Sequence, residues 1–292
     1  MSNRLTPGVI LAAGVTVFFW GSAFPGIRAG LEAYSPTHLA VLRFLSASLV
    51  MLIYTLVTRM RLPARKDFPR IFLLGFLGFT FYNVALNIGE VNIAAGPASL
   101  LVQTVPIWTI LMAMFILKER LRLWGWLGIV ISFCGVLVIA FGKGQGFQLS
   151  WGAVLILIAA ISSSAYNIIQ KQMLASYRPV EITTYAVWAG TLLLLPFANG
   201  LLRQIQFAPL GATLAVVYLG VFPAALAYTI WAFLLSKMPA GRAASFLYAV
   251  PVMAFLIGWV WLGETPKVID LVGGFFALGG VVLVNTLGRE KG

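Results

Sequence analysis

The chain has 292 residues, of which 61% are hydrophobic and only 10% charged. A soluble domain carries about a quarter charged residues, so this composition excludes an ordinary soluble fold and points to lipid. The formal net charge of +12 would suit nucleic acid, but the cations gather in short segments between long apolar runs, and no nucleic-acid partner is expected.

A membrane-spanning helix needs about 20 apolar residues. Ten stretches meet that length in chain order: 8–31, 36–58, 70–90, 94–117, 123–142, 150–172, 180–201, 209–235, 241–263 and 267–287. Short loops join them, which leaves no room for a soluble domain. The first stretch, with Arg4 before an apolar run, has the outline of a signal peptide; it is read here as a retained span. The expected fold is an all-α membrane protein of ten transmembrane helices, with membrane lipid as its first partner.

Placing the N-terminus inside puts 15 of the 20 cations in inside segments. They are Arg4; Arg59, Arg61, Arg65, Lys66 and Arg70; Lys118, Arg120 and Arg122; Lys171 and Arg178; Lys237 and Arg242; Arg289 and Lys291. Lys143, Arg203 and Lys267 fall outside, and Arg28 lies near an outer helix end. Cytoplasmic loops hold such an excess, so both termini are expected in the cytoplasm. The single cysteine, Cys134, sits mid-span as a small packing residue and cannot form an internal disulfide.

The fourth and ninth stretches are related. VPIWTILMAMFILKERL at 105–121 and VPVMAFLIGWVWLGETP at 250–266 share Val-Pro, two leucines and a glutamate, Glu119 and Glu264. The same offset of 145 pairs Gly96 with Gly241, Ala98 with Ala243, Gly128 with Gly273, Gly135 with Gly280 and Val136 with Val281. Apolar bias explains matched Leu, Val and Ala but not matched Pro, Glu and Gly in one register. Each half then holds five spans, an odd number, so the second half enters the membrane from the opposite side. That explains why Lys118 and Arg120 become Gly263 and Thr265: the first copy ends inside, the second outside. Two inverted repeats, 1–147 and 148–292, form one transmembrane domain, an architecture common in secondary transporters.

Trp20-Gly21-Ser22-Ala23-Phe24, Arg43-Phe44 and the duplicated Pro-to-Glu stretch followed by spaced glycines resemble the drug/metabolite transporter superfamily and its EamA repeat. More narrowly, the whole chain resembles bacterial aromatic amino-acid exporters of the YddG type. The resemblance implies a multi-pass protein of the bacterial inner membrane that exports a small-molecule substrate, an aromatic or hydrophobic amino acid or similar metabolite, by alternating access. It also implies a central cavity lined by spans 1, 3, 4, 6, 8 and 9, with spans 5 and 10 outside as scaffold. Gly128 and Gly135, like Gly273 and Gly280, are a heptad apart on one face. They suit tight helix packing or a contact in a weak homodimer; monomer and weak homodimer both remain open.

Polar side chains collect in the spans so implied. They are Thr80, Tyr82, Asn83 and Asn87; Ser99, Gln103 and Thr104; Ser163, Tyr166 and Asn167; and Tyr228, Ser245 and Tyr248. Each alone could be hydrogen-bonded helix glue; together they are expected to face one centre, since an unpaired amide in hydrocarbon is costly. Trp20 and Trp188 lie deep, with Trp108 and Trp231, and offer flat faces for a substrate or plain packing. Trp124, Trp126, Trp151, Trp259 and Trp261 suit the membrane interface. Arg43 falls about 10 Å below the outer end at 1.5 Å per residue, and is either an anchor for a substrate carboxylate or a structural contact to helix carbonyls or Glu32.

Pro25, Pro106, Pro223 and Pro251 fall within spans, where each is expected to kink its helix, as a hinge or as a static bend. Acidic residues stand near span ends, Glu32, Glu90, Glu119, Glu181, Glu264 and Asp270, so coupling through a buried carboxylate is not expected and downhill facilitation is favoured. Export of other metabolites or drugs coupled to protons is the alternative. A membrane enzyme is disfavoured: there is one His, one Cys, and neither HExxH nor GxSxG. No cofactor and no metal are expected.

Overall fold

The structure, a computed structural model, describes residues 7–117, 122–141, 150–237 and 246–287. Expectations resting on Arg4, Lys118, Glu119, Arg120, Lys143, Gly241, Arg242, Ala243, Ser245, Arg289 and Lys291 lie outside the described residues. Among the described residues there are helices and no strand. They are α1 (Pro7–Leu31), α2 (Pro36–Thr58), α3 (Arg65–Glu90), α4 (Ala95–Val102), α5 (Val105–Leu117), α6 (Leu123–Phe141), α7 (Trp151–Met173), α8 (Pro179–Phe197), α9 (Leu201–Phe207), α10 (Leu210–Leu234), α11 (Leu247–Leu262) and α12 (Val268–Leu287). Six of them, α1, α2, α3, α7, α8 and α10, are long and apolar enough to cross a membrane, while α6, α11 and α12 are shorter apolar helices.

Local chemistry sets the ends. Ser35 caps α2 by accepting the His38 N–H at 3.3 Å, with Pro36 in the first turn, where a missing N–H costs no helix bond. Glu181 closes the start of α8 by accepting the Arg178 N–H at 2.8 Å. Gly263 ends α11 in the left-handed region at φ 68°, a conformation that favours glycine.

The fourth expected span is two helices. The N–H groups of Gln103 and Thr104 turn back to Leu100 and Leu101 at 3.2 Å, and α5 starts afresh at Val105. Pro106 therefore stands in a first helical turn, and Pro251 likewise begins the regular part of α11 at Val250–Leu262. This corrects the expected interior kinks: neither proline breaks a running helix. Pro25 does lie inside α1, and Pro223 inside a widened stretch of α10.

That widening occurs twice. α3 is π-helical over Phe76–Phe81 and α10 over Gly220–Ala227. A π turn disturbs the regular backbone ladder, and side chains cover the carbonyls. Ser162 donates to Leu77 O at 2.8 Å, Asn83 to Phe79 O at 2.9 Å, and the Trp20 indole to Pro223 O at 3.2 Å. In lipid such groups must be met from within the protein. α6 and α12 pack antiparallel along their glycines, with Trp124 and Trp126 exposed on α6. Cys134 is exposed on α6, which corrects its reading as a packing residue.

Candidate functional site: a buried polar stripe beside an aromatic cluster

Asn83, Asn87 and Glu90 stand at helical positions i, i+4 and i+7 of α3, and so share one face. All three are buried, at 1%, 0% and 0% exposure. The Asn83 amide nitrogen donates to Phe79 O, and that of Asn87 to Pro36 O at 2.9 Å. Their Oδ1 atoms and both Glu90 carboxyl oxygens have no hydrogen-bond partner. Arg43 of α2 is 4% exposed, and its Nε and Nη1 are also unpartnered. These six atoms are all but one of the unpaired buried side-chain atoms among the described residues; the other is Ser132 Oγ. Native proteins leave few such groups, so these donors and acceptors on α2 and α3 are the polar atoms that water or a ligand would satisfy.

Arg43 lies 5.4 Å over the Phe44 ring and within electrostatic reach of Tyr82, Tyr228 and Glu90. Among the described residues the one ion pair joins Arg28 and Glu264, so Arg43 is not held by Glu32, which is exposed. Next to it runs a chain of rings. Phe79 meets Phe44, Tyr166 and Tyr228 at centroid distances of 5.5, 5.5 and 5.3 Å. Tyr228 meets Trp20 at 5.1 Å, and Trp20 meets Trp231 at 5.4 Å. Three of these contacts, Phe79 with Phe44 and Tyr166, and Tyr228 with Trp20, are edge-on, which suits aromatic quadrupoles. Gly78 makes room for Tyr166, since a Cβ there would stand 2.8 Å from ring atoms.

Arg43, Tyr82, Asn83, Tyr166, Tyr228 and Trp20 thus come together. Asn87 continues the stripe toward Glu90. Gln103 donates to Leu247 O at 2.9 Å and ties the α4–α5 break to the start of α11. Trp188 of α8 donates to Ser48 O at 3.4 Å, and Asn167 is half-buried on α7. Tyr248 packs elsewhere, against the Ile107, Ile129, Val281 and Val284 cluster beside α6 and α12. Phe79 and Gly78 were not singled out in the sequence, because nothing but the fold distinguishes one Phe or Gly of an apolar span from another. Glu90 was set aside as an end residue; its spacing from Asn83 and Asn87 was the available signal. Its full burial corrects the expectation that the chain offers no buried carboxylate.

At the same end of the bundle Arg28 is held twice. Its Nε donates to Glu264 Oε1 at 3.2 Å, and its Nη1 to the main-chain oxygens of Glu90 and Val91 at 2.6 and 3.1 Å. Glu264 Oε2 accepts the Ala95 N–H at 2.9 Å. Above them opens a cavity of about 310 Å³ lined by Arg28, Leu31, Glu32, Val91, Leu262 and Glu264. Among the described residues no group of three His, Cys, Asp or Glu side chains could hold a metal ion.

Six helices of membrane-crossing length and composition around buried polar groups and a ring cluster define a multi-pass membrane protein. Comparison with known proteins gives that class its family. The EamA-like transporter family matches residues 6–141 and 150–286, and the chain belongs to it. An uncharacterised transporter of Bacillus subtilis, YdfC, is 43% identical, over 96% of this chain and 91% of its own. A probable terminal-alkyne amino-acid exporter of Streptantibioticus cattleyicolor is 37% identical, over 97% and 95%. One crystal structure shares the fold with a TM-score of 0.67 at 20% identity, covering 97% of this chain and all of its own. The protein is a multi-pass membrane transporter.

Proposed function

We propose that this transporter exports amino acids with aromatic or other apolar side chains by alternating access. The observation that carries the reading is the set of unpaired atoms between α2 and α3. The free N–H groups of Arg43 suit a carboxylate, the Asn83 and Asn87 oxygens suit an ammonium group, and the rings of Trp20, Phe79, Tyr166 and Tyr228 suit an apolar side chain. The relative named as an amino-acid exporter favours the same substrate class. Tyr82, Gln103, Asn167, Trp188 and Tyr248 would then act around that centre as α4, α7, α8 and α11 shift.

Ten spans in two inverted repeats, 1–147 and 148–292, would supply the two arrangements, with both termini in the cytoplasm of a bacterial inner membrane. The residue matches at an offset of 145 and the cation bias favour this topology, as do π-helical stretches in both α3 and α10. The carrier works without cofactor or metal, as a monomer or weak homodimer.

Uptake of labelled phenylalanine into proteoliposomes preloaded with unlabelled phenylalanine tests the reading without an imposed ion gradient. Saturable counterflow is expected, lost in Arg43→Gln protein that purifies in normal yield. Flux that does not saturate would mean a channel. No flux of any aromatic or apolar amino acid by folded protein would end the proposal.

A further inference from the structure

Glu90 is the last residue of α3, fully buried, with neither carboxyl oxygen hydrogen-bonded. An ionised carboxylate in that position would lack a hydrogen bond on both oxygens, a costly arrangement in a buried site, whereas a neutral carboxyl costs less. The ionisable groups that face it are Arg28 from α1, Arg43 from α2, Glu264 from the loop after α11 and, on its own helix, Tyr82. α4 brings none, and the turns of α7 beside Gly89, around Gly152 and Ile156, bring none. Arg28 already touches Glu90, but through the main-chain oxygen, while its Nε is given to Glu264.

We propose that Glu90 is a proton-binding site, and that its ionisation releases the Arg28–Glu264 closure at that end of the transporter. This rests on the carrier reading above and adds proton coupling to it. The carboxyl O–H bond breaks, the proton passes to water at the Arg28 end, and the electron pair stays on the carboxylate. The carboxylate then accepts the Arg28 guanidinium N–H groups, one short reorientation away. Glu264 loses its cation, and the ion pair that closes this end between α1 and the loop after α11 is broken. Protonation restores the neutral carboxyl and the closure, so each opening at this end releases one proton and each closure takes one up.

Opening can be read without substrate. In a Cys134→Ala background, Ala98→Cys places a thiol one turn beneath Ala95, at a position that is fully buried here; Leu31→Cys places one in the cavity above. The ratio of their labelling rates with a membrane-impermeant maleimide cancels the thiol's own pH dependence. It should rise by up to about tenfold per pH unit while one proton governs opening. Glu90→Gln, a fixed neutral side chain, should hold the ratio low and flat, and Glu90→Asp should restore its slope. Glu264→Gln, with Glu90 intact, should keep the ratio high at all pH values, which serves if Glu90→Gln does not fold. A flat ratio in the Glu90 protein, or an unchanged slope in Glu90→Gln, overturns the proposal. Because the assay contains no substrate, loss of phenylalanine counterflow alongside an intact pH response would reject the amino-acid reading and leave the proton site standing.

Discussion

Gly128 lies so close to Gly280 that a Cβ on it would stand 2.7 Å from the Gly280 carbonyl oxygen. Gly135 meets Gly273 in the same manner, a Cβ on Gly273 falling 2.9 Å from Gly135 O. Gly273 and Gly280 stand 145 residues beyond Gly128 and Gly135. Each glycine therefore touches the counterpart of the other, the exchange that a two-fold axis imposes on a self-complementary contact. The two helices run antiparallel at this contact, as matched segments of inverted halves would.

Valine at Gly128 or Gly280 should each cost roughly 1–3 kcal/mol of stability through overpacking and so lower the melting temperature in detergent, since backbone atoms stand in the way of the new carbon. Gly279→Val, with open space around its Cβ position, is the control and should melt with the parent. Equal losses at the two sites and none at Gly279 are expected; tolerance of valine at Gly128 would mean that close approach is not what holds α6 to α12.

Span limits were largely legible in the sequence because they rest on local chemistry. Pro36–Thr58 was placed to the residue, with a serine and a proline marking its start. The break at Gln103 and Thr104 was not legible, since an apolar run hides a change of direction that a pair of backbone turns supplies. Nor were the π-helical stretches: FLGFTF and GVFPAALA share no motif, and their widened geometry depends on donors from other helices, Ser162 and Trp20. Arg43, Asn83 and Trp20 stand out in the sequence because a charge, an amide or a family motif is rare within a span. Glu90 looked like an end residue by hydropathy, and only the packing of α1 and α7 around it shows that it is buried.

Gly78→Ala should raise the KM for aromatic substrates several-fold, because the added methyl forces the Tyr166 ring from its place beside Phe79. Tyr166→Phe keeps the ring and loses only the hydroxyl that accepts from Gln170 at 2.7 Å, a change worth about 1 kcal/mol. It should retain transport. If both variants transport equally, the ring cluster does not shape the site.

Tyr177, between α7 and α8, donates to Asp67 Oδ2 at 2.6 Å and accepts the Ala64 N–H at 3.1 Å, tethering the start of α3. Desolvation first, and donation to Asp67 second, push its phenol above the ordinary value. The folded protein thus holds this proton more tightly than the unfolded chain. The contribution is complete below the ordinary phenol value of about 10 and is lost as pH rises through the folded value. Melting temperature should hold through neutral pH and fall in the alkaline range. Tyr177→Phe should melt slightly lower at neutral pH and fall less steeply; a parallel fall would show that other groups govern alkaline stability.

Pro223 and Pro106 should behave differently although both lie in apolar spans. Pro223 sits within the π-helical stretch of α10, and its carbonyl is taken by the Trp20 indole. Pro223→Ala restores an N–H that can bond to Leu219 O and draw the stretch toward a regular α-helix, since proline costs about 3 kcal/mol in a helix interior. The variant should melt no lower than the parent yet transport more slowly, having gained helix at the expense of the Trp20 contact. Pro106→Ala alters the second residue of a helix, where proline removes no intrahelical hydrogen bond, so its stability should change little. A slowed counterflow rate in Pro106→Ala would assign motion to the Gln103–Thr104 break, with proline stiffening the helix beyond it. An unchanged rate would leave that break as a fixed bend and place any hinge at Pro223.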